Sequence, residues 1–129
     1  MTLTSATLKI NMAALKHNLN HFVDILNSKN TKIMIMVKAF AYGLGSVPIA
    51  QWIQKTSLVD YLGVAYVSEG VQLRHSTDIY LPIMVMVVIE YEFETCRQFN
   101  LEPVIYSMHI FDKFLEFLQQ TEGKKTVAL

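Results

Sequence analysis

The sequence contains little cysteine and has no excess of either positive or negative charge. Cys96 is the single cysteine among 129 residues, so no disulfide can form within the chain, and a reducing compartment is indicated. Eleven basic and eleven acidic side chains cancel, which leaves no basic field for nucleic acid and no polybasic segment for a membrane surface. We therefore predict a cytoplasmic protein without a nucleic-acid or membrane partner.

Long apolar segments are also missing. The N-terminus has no apolar stretch after a basic start, which argues against a signal peptide. The run YLPIMVMVVI at 80–89 is too short to cross a bilayer and is interrupted by Pro82. With 52% hydrophobic and 17% charged residues, the chain has instead the composition of a globular domain with a core.

Helical and strand-like patterns alternate along the chain. Short apolar runs predict six strands, at 6–11, 32–39, 60–67, 80–88, 102–107 and 125–129. Apolar spacings of three and four, together with cap and turn residues, predict helices at 12–26, 47–56, 69–76, 90–100 and 109–121. Asn11, Ser46 and Ser68 stand where the side-chain caps of three of these helices are expected.

The order of these elements predicts the fold class. Strands without in-out alternation, separated by helices of about three turns, are typical of a parallel sheet covered by helices. We therefore predict an α/β fold, and more specifically the N-terminal half of a (β/α)8 TIM-type barrel. Because the last strand pattern reaches Leu129 without a cap, we expect residues 1–129 to be the N-terminal portion of such a barrel domain.

A lysine closes the most regular strand. In IMIMVK at 33–38, alternation places Met34, Met36 and Lys38 on one face, at the end of a β/α strand where reactive groups gather. A partly desolvated lysine can supply a neutral amine, which forms an imine with an aldehyde such as pyridoxal phosphate. Tyr42 follows beside two glycines, and its hydroxyl could donate to a phosphate. The alternative is that Lys38 reaches solvent and Tyr42 is a loop aromatic.

The histidines do not form a recognisable metal site. His17 and His21 are four residues apart, a spacing that metal ligands use on helices. No third ligand is in view, and His75 and His109 are isolated. We interpret the pair as part of a solvated helix face and predict no metal.

Several stretches resemble one known family. VKAFAYGLG at 37–45 is similar to the cofactor-lysine motif of alanine racemases. INMAALKHNLNHF, YLGVAYVSEGVQLR, LPIMVM and LEPVIYS agree with the same family, in order along the chain. The resemblance covers essentially the whole chain and about the first third of a family member. It is strongest to the subgroup in which phenylalanine follows KA and the racemase domain is often fused behind a Mur-type peptide ligase.

The resemblance implies a function and a set of roles. The complete protein would be an isomerase that interconverts L-alanine and D-alanine for peptidoglycan precursors, as a homodimer with pyridoxal 5'-phosphate. Lys38 would bind the cofactor and act as the base on the D-alanine face, and Tyr42 would hydrogen-bond the phosphate. Met36 and Met84 match positions that flank the cofactor ring. Phe40 and Leu44 replace an acidic or amide residue and a histidine of the commoner motif, which affects contacts at the pocket rim.

The resemblance also implies what this polypeptide would need. The family's second base is a tyrosine in a C-terminal β domain, supplied across the dimer interface, and an arginine partners the pyridine nitrogen. Both would lie beyond position 129, so we expect residues 1–129 alone to be inactive. Two alternatives stay open: a pyridoxal-phosphate racemase or decarboxylase of the same fold that acts on another amino acid, and a non-catalytic carrier of the cofactor.

Overall fold

The structure is a computed structural model, which describes residues 6–26, 31–76 and 78–126. It divides into two units, Met1–Thr31 and Lys32–Leu129. In the first unit, helix α1 (Met12–Leu26) confirms the helix predicted from the apolar spacing. Asn11 Oδ1 accepts a hydrogen bond from the Ala14 amide at 3.1 Å, so Asn11 caps this helix as predicted.

Two predicted strands are wrong. Residues 6–11 form no strand in the described part of the chain, since a short apolar alternation gives a strand only where a neighbouring strand bonds to it. At the other end, Lys125 and Thr126 belong to helix α6 (Met108–Thr126), and residues 127–129 lie outside the described residues. The helical pattern of 109–121 therefore extends beyond the predicted end, although Gly123 and Thr126 have low helix propensity.

The second unit contains a four-stranded parallel sheet in the order β1-β2-β3-β4. The strands are β1 (Met34–Met36), β2 (Tyr61–Tyr66), β3 (Ile83–Val87) and β4 (Glu102–Pro103). Helices alternate with them: α2 (Lys38–Tyr42), α3 (Ser46–Lys55), α4 (Val67–His75), α5 (Phe93–Gln98) and α6, with a 3₁₀ turn at Glu90–Glu92. The predicted α/β class and barrel-type order are confirmed.

The core lies on one face of this sheet. Leu62 and Val64 of β2 and Ile83 and Val85 of β3 are fully buried and alternate along their strands. On the helical side, Ile49, Ala50 and Ile53 of α3 and Val67 and Leu73 of α4 are also buried. The opposite sheet face carries methionines, so the two faces of each strand differ although the sequence reads as continuously apolar.

The strands are shorter than predicted, for local reasons. Pro82 has no amide hydrogen, and β3 starts at Ile83, after it. β4 contains only Glu102 and Pro103, and the next amide, Val104 N, still donates to Val85 O at 2.9 Å. Ser68 does not cap α4, because it is the second residue of that helix. The side chain that bonds the backbone at this helix start is Glu69, the third residue of α4, whose Oε2 accepts hydrogen bonds from Ala65 N and Tyr66 N.

Candidate active site

Lys38 lies directly beyond the carboxyl end of β1. The ladder to β2 continues to Val37, whose amide donates to Gly63 O at 2.8 Å, and Lys38 is the next residue. Its side chain is half-buried. Among the described residues no carboxylate forms an ion pair with it. The strand predicted at 32–39 is therefore too long: β1 ends at Met36 and Lys38 begins α2, at the carboxyl end of the sheet where reactive groups of β/α folds gather.

The backbone after Lys38 forms one left-handed turn, which the sequence did not predict. The φ angles of Ala39, Phe40, Ala41 and Tyr42 are 50°, 57°, 50° and 54°. Left-handed geometry costs an L-residue about 1–2 kcal/mol, so four such residues cost roughly 4–8 kcal/mol. Gly43, with φ 91°, ends the turn without that penalty. Strain of this kind persists only where surrounding contacts impose it, and it is concentrated at functional sites.

Hydrogen bonds within the segment close the turn. Ala41 N donates to Val37 O at 3.0 Å, and Gly45 N donates to Phe40 O at 2.8 Å. Ser46, predicted as a helix cap, has another role: its buried hydroxyl donates to Val37 O at 3.0 Å. The residue before Lys38 is thus fixed both by the sheet and by the start of α3.

Glu69 of α4 connects this turn to the neighbouring strand. Its Oε1 accepts a hydrogen bond from Ala39 N at 2.7 Å, and its Oε2 accepts bonds from Ala65 N at 2.7 Å and Tyr66 N at 3.2 Å. One carboxylate therefore joins the ends of β1 and β2. The role of Glu69 was not predicted from the sequence, because a capping box is recognised by Ser or Thr three residues before the Glu, and Tyr66 stands at that position.

Tyr42 stands at the end of the same turn. Its side chain is 67% exposed, and it follows Lys38 by four residues within α2. The structure thus brings Lys38 and Tyr42 onto one short, bonded segment, with the amine at its start and the phenol at its end. A hydroxyl presented to solvent in this way is available to an oxygen acceptor such as a phosphate.

Met36 and Met84 lie in one row of the sheet. Gly63 is paired with Met36 on one side and with Met84 on the other, so the two methionines share a face two strands apart. A Cβ added at Gly63 would overlap Met36 Sδ and lie 3.2 Å from Met34 Sδ. The thioethers therefore lean over the glycine, and the face near Lys38 is apolar and polarizable.

A polar cluster adjoins this methionine row on the sheet. Glu102 is in register with Met84, and Tyr61 with Met34. The negative charge of Glu102, and its hydrogen bond with Tyr61, raise the pKa of the Tyr61 phenol. Lys32 Nζ lies 5.8 Å from the centre of the Tyr61 ring. Tyr61 starts β2 and Lys32 precedes β1, whereas Glu102 lies in β4, in the same register row as Met36, Gly63 and Met84.

The described residues contain no group of three or more His, Cys, Asp or Glu side chains that could bind a metal. His17 and His21 lie in α1, and that helix belongs to the other unit. Nor is any helix in the described ranges both long and apolar enough to span a bilayer.

Comparison with known proteins identifies the family. Residues 10–129 match the family described as "Alanine racemase, N-terminal domain". The chain belongs to this family. A curated relative, the alanine racemase of Thermodesulfovibrio yellowstonii, is 35% identical over 123 residues, which are 94% of this chain and 32% of the relative. The alanine racemase of Synechocystis sp. is 36% identical over 104 residues, 79% of this chain and 27% of the relative.

Solved structures agree with the alanine racemase assignment. The alanine racemase of Clostridium difficile 630 superposes with a TM-score of 0.77 at 33% identity, over 88% of this chain and 30% of that chain. The enzyme from Oenococcus oeni superposes with a TM-score of 0.71 at 27% identity, over 80% and 26% of the two chains. The chain thus spans about a third of the length of the curated relatives that it matches.

Proposed function

We propose that this chain is the cofactor-binding N-terminal portion of a pyridoxal-phosphate-dependent alanine racemase, with Lys38 as the lysine that holds the cofactor. The observation that carries the proposal is the position of Lys38: a half-buried amine at the carboxyl end of β1, followed at once by a strained, bonded turn. The curated relatives described above are named alanine racemases, which supports alanine over other amino acids as the substrate.

The residues present fit the cofactor. Lys38 has no ion-pair partner in the described ranges, so Nζ is available for covalent attachment to an aldehyde. Tyr42 presents an exposed hydroxyl on the same turn, suited to donate to a phosphate oxygen. Met36, Gly63 and Met84 form one row of the sheet, and Met36 is the last residue of β1, two positions before Lys38. Met36 and Met84 are proposed to line the cofactor ring.

Each side chain then has a defined task. Pyridoxal phosphate, when bound, spreads the negative charge that develops at the α-carbon of an amino acid. Lys38 Nζ holds the cofactor and carries a proton to and from the D-alanine face of that carbon. Tyr42 Oη donates to the phosphate and so fixes the orientation of the bound group. The methionine face excludes water around it.

Racemisation requires a second proton carrier on the opposite face of the α-carbon. One amine at the end of one strand reaches one face, so a second group must approach from elsewhere. We assign that group to a part of the relatives' length that this chain does not span, and propose that the complete enzyme is a cytoplasmic homodimer. Its product, D-alanine, would supply peptidoglycan precursors.

The experiment that tests the proposal is covalent trapping. The 129-residue chain is mixed with pyridoxal phosphate, reduced with borohydride, digested and mapped by mass spectrometry. We expect the reduced cofactor on Lys38, and its loss in both Lys38→Ala and Lys38→Arg, because a guanidinium stays protonated and does not attack the aldehyde. Lys55→Ala is the matched control, since Lys55 is an exposed lysine at the end of α3. Labelling of Lys38 no greater than that of Lys55 would overturn the assignment.

A further inference from the structure

The contacts of Glu69 exceed what its helix requires. Glu92 stands at the equivalent place after β3, where its Oε2 accepts one hydrogen bond from Ile89 N at 3.2 Å. Glu69 Oε2 makes the same local bond to Tyr66 N, also at 3.2 Å. Both side chains are half-buried. Glu69 differs in two further bonds, to Ala65 N and to Ala39 N, each at 2.7 Å.

The bond to Ala39 reaches a residue 30 positions away in the chain. Ala39 is the first residue of the left-handed turn, with φ 50°. The first amides of a helical turn have no acceptor within it and need one from elsewhere. A carboxylate is the strong choice, because hydrogen bonds to an ionised acceptor are roughly twice as strong as neutral ones. Glu69 Oε1 therefore satisfies the amide that the turn itself leaves without a partner.

We infer that Glu69 is a positioning residue for Lys38 and Tyr42: its carboxylate, bonded to Ala39 N, holds the left-handed turn that sets where both side chains project. The inference rests on the proposed function for its consequence at the cofactor, but its structural claim stands on the turn alone. Without the bond, the cost of four left-handed residues favours an extended backbone, in which successive side chains point to opposite faces.

Hydrogen exchange on the 129-residue chain without cofactor tests the structural claim. Glu69→Gln keeps the shape but has only one acceptor oxygen. Because Ala65 N and Tyr66 N both face Oε2 and only Ala39 N faces Oε1, we expect the Gln oxygen at the Oε2 position and its NH₂ against Ala39 N–H, from which it cannot accept. We expect the amides of 39–45 to exchange about tenfold or more faster in Glu69→Gln than in the wild type. Glu92→Gln, the matched control, should leave these amides unchanged. Equal exchange of 39–45 in wild type and Glu69→Gln would overturn the inference.

An amide within the sheet serves as a reference that distinguishes local opening of the turn from global unfolding. Leu62 N donates to Pro82 O at 2.9 Å in the middle of the unit, and its protection should be retained in Glu69→Gln. If that variant loses this protection too, Glu69→Asp is the second variant, since it keeps the charge but is one methylene shorter. We expect Glu69→Asp to release 39–45 as well. If Glu69→Asp kept the protection of 39–45, the negative charge would be sufficient without the contact with Ala39, and the positioning role of Glu69 would be refuted.

Covalent trapping tests the consequence for the amine. With pyridoxal phosphate and borohydride, Lys38 labelling should fall about tenfold in Glu69→Gln and stay at the wild-type level in Glu92→Gln, with Lys55 labelling equal in all three. Faster exchange of 39–45 with unchanged Lys38 labelling would overturn the positioning role. A wild-type chain without label on Lys38 would refute the proposed function, while the exchange experiment would still decide whether Glu69 holds the turn.

Discussion

Replacing Arg74 tests how much this side chain, near the end of α4, stabilises the loops that precede β3 and β4. Its guanidinium donates to four backbone carbonyls: Nε to Phe99 O at 3.1 Å, Nη1 to Ile79 O at 2.9 Å and to Leu81 O at 3.0 Å, and Nη2 to Asn100 O at 3.0 Å. These carbonyls belong to the two loops that lead into β3 and β4. Burial lowers the pKa of Arg74, and the charge of Glu102 opposes that shift.

The expected loss follows from these bonds. A hydrogen bond from a charged donor contributes about 1.5–3 kcal/mol, so four bonds set an upper limit of roughly 6–12 kcal/mol. Arg74 is only half-buried, so water reaches some of the freed carbonyls and recovers most of that amount. We expect Arg74→Met, which keeps the apolar stem, to lower the free energy of unfolding by about 2–4 kcal/mol. Arg74→Lys should lose about half as much, because an ammonium cannot reproduce the planar fork.

Urea unfolding of the 129-residue chain, followed by circular dichroism, measures the change at constant m-value. The control is Arg97→Met, which removes an exposed arginine paired with Glu94 within α5. An exposed pair contributes little, so the control should move the midpoint much less. If Arg74→Met shifted the midpoint no further than Arg97→Met, the four carbonyl bonds would not stabilise this unit and the reasoning would fail.

Three further predictions concern single side chains. Tyr42→Phe should weaken cofactor affinity roughly ten- to a hundredfold, since a bond to a charged phosphate contributes about 1.5–3 kcal/mol; an unchanged dissociation constant by absorbance titration would refute the phosphate role. Burial, and to a lesser degree the charge of Glu92, raises the pKa of the Cys96 thiol from 9.0 to about 11. The folded state thus keeps the thiol proton up to a higher pH than the unfolded state does. The free energy of unfolding should therefore fall between pH 9 and 11, by up to about 1.4 kcal/mol per pH unit. The urea midpoints of Cys96→Ala should show no such fall. Gly63→Ala should cost about 1–3 kcal/mol by displacing Met36 Sδ, and adding Met36→Ala should remove most of that penalty in a double-mutant cycle.

The sequence by itself determined the order of elements and the place of the lysine. Apolar spacing and Asn11 predicted α1 and the residue at which it begins, because helix period and a side-chain cap are local properties. The alternation of runs predicted the parallel sheet, and it placed Lys38 close to the carboxyl end of the strand that the structure shows as β1 (Met34–Met36). Each of these follows from contacts between residues that are near one another in the chain, or from the burial of one face.

Only the tertiary structure decided the conformation around that lysine. Residues 39–42 are ordinary L-residues that read as the end of a strand and a loop, yet they adopt a left-handed turn. Glu69, 30 residues from Ala39, accepts a hydrogen bond from the first amide of the turn, and Ser46 bonds Val37 instead of capping its own helix. Local propensity disfavours left-handed backbone by about 1–2 kcal/mol per residue, so such a turn exists only where distant groups, brought together by the sheet, offset that cost.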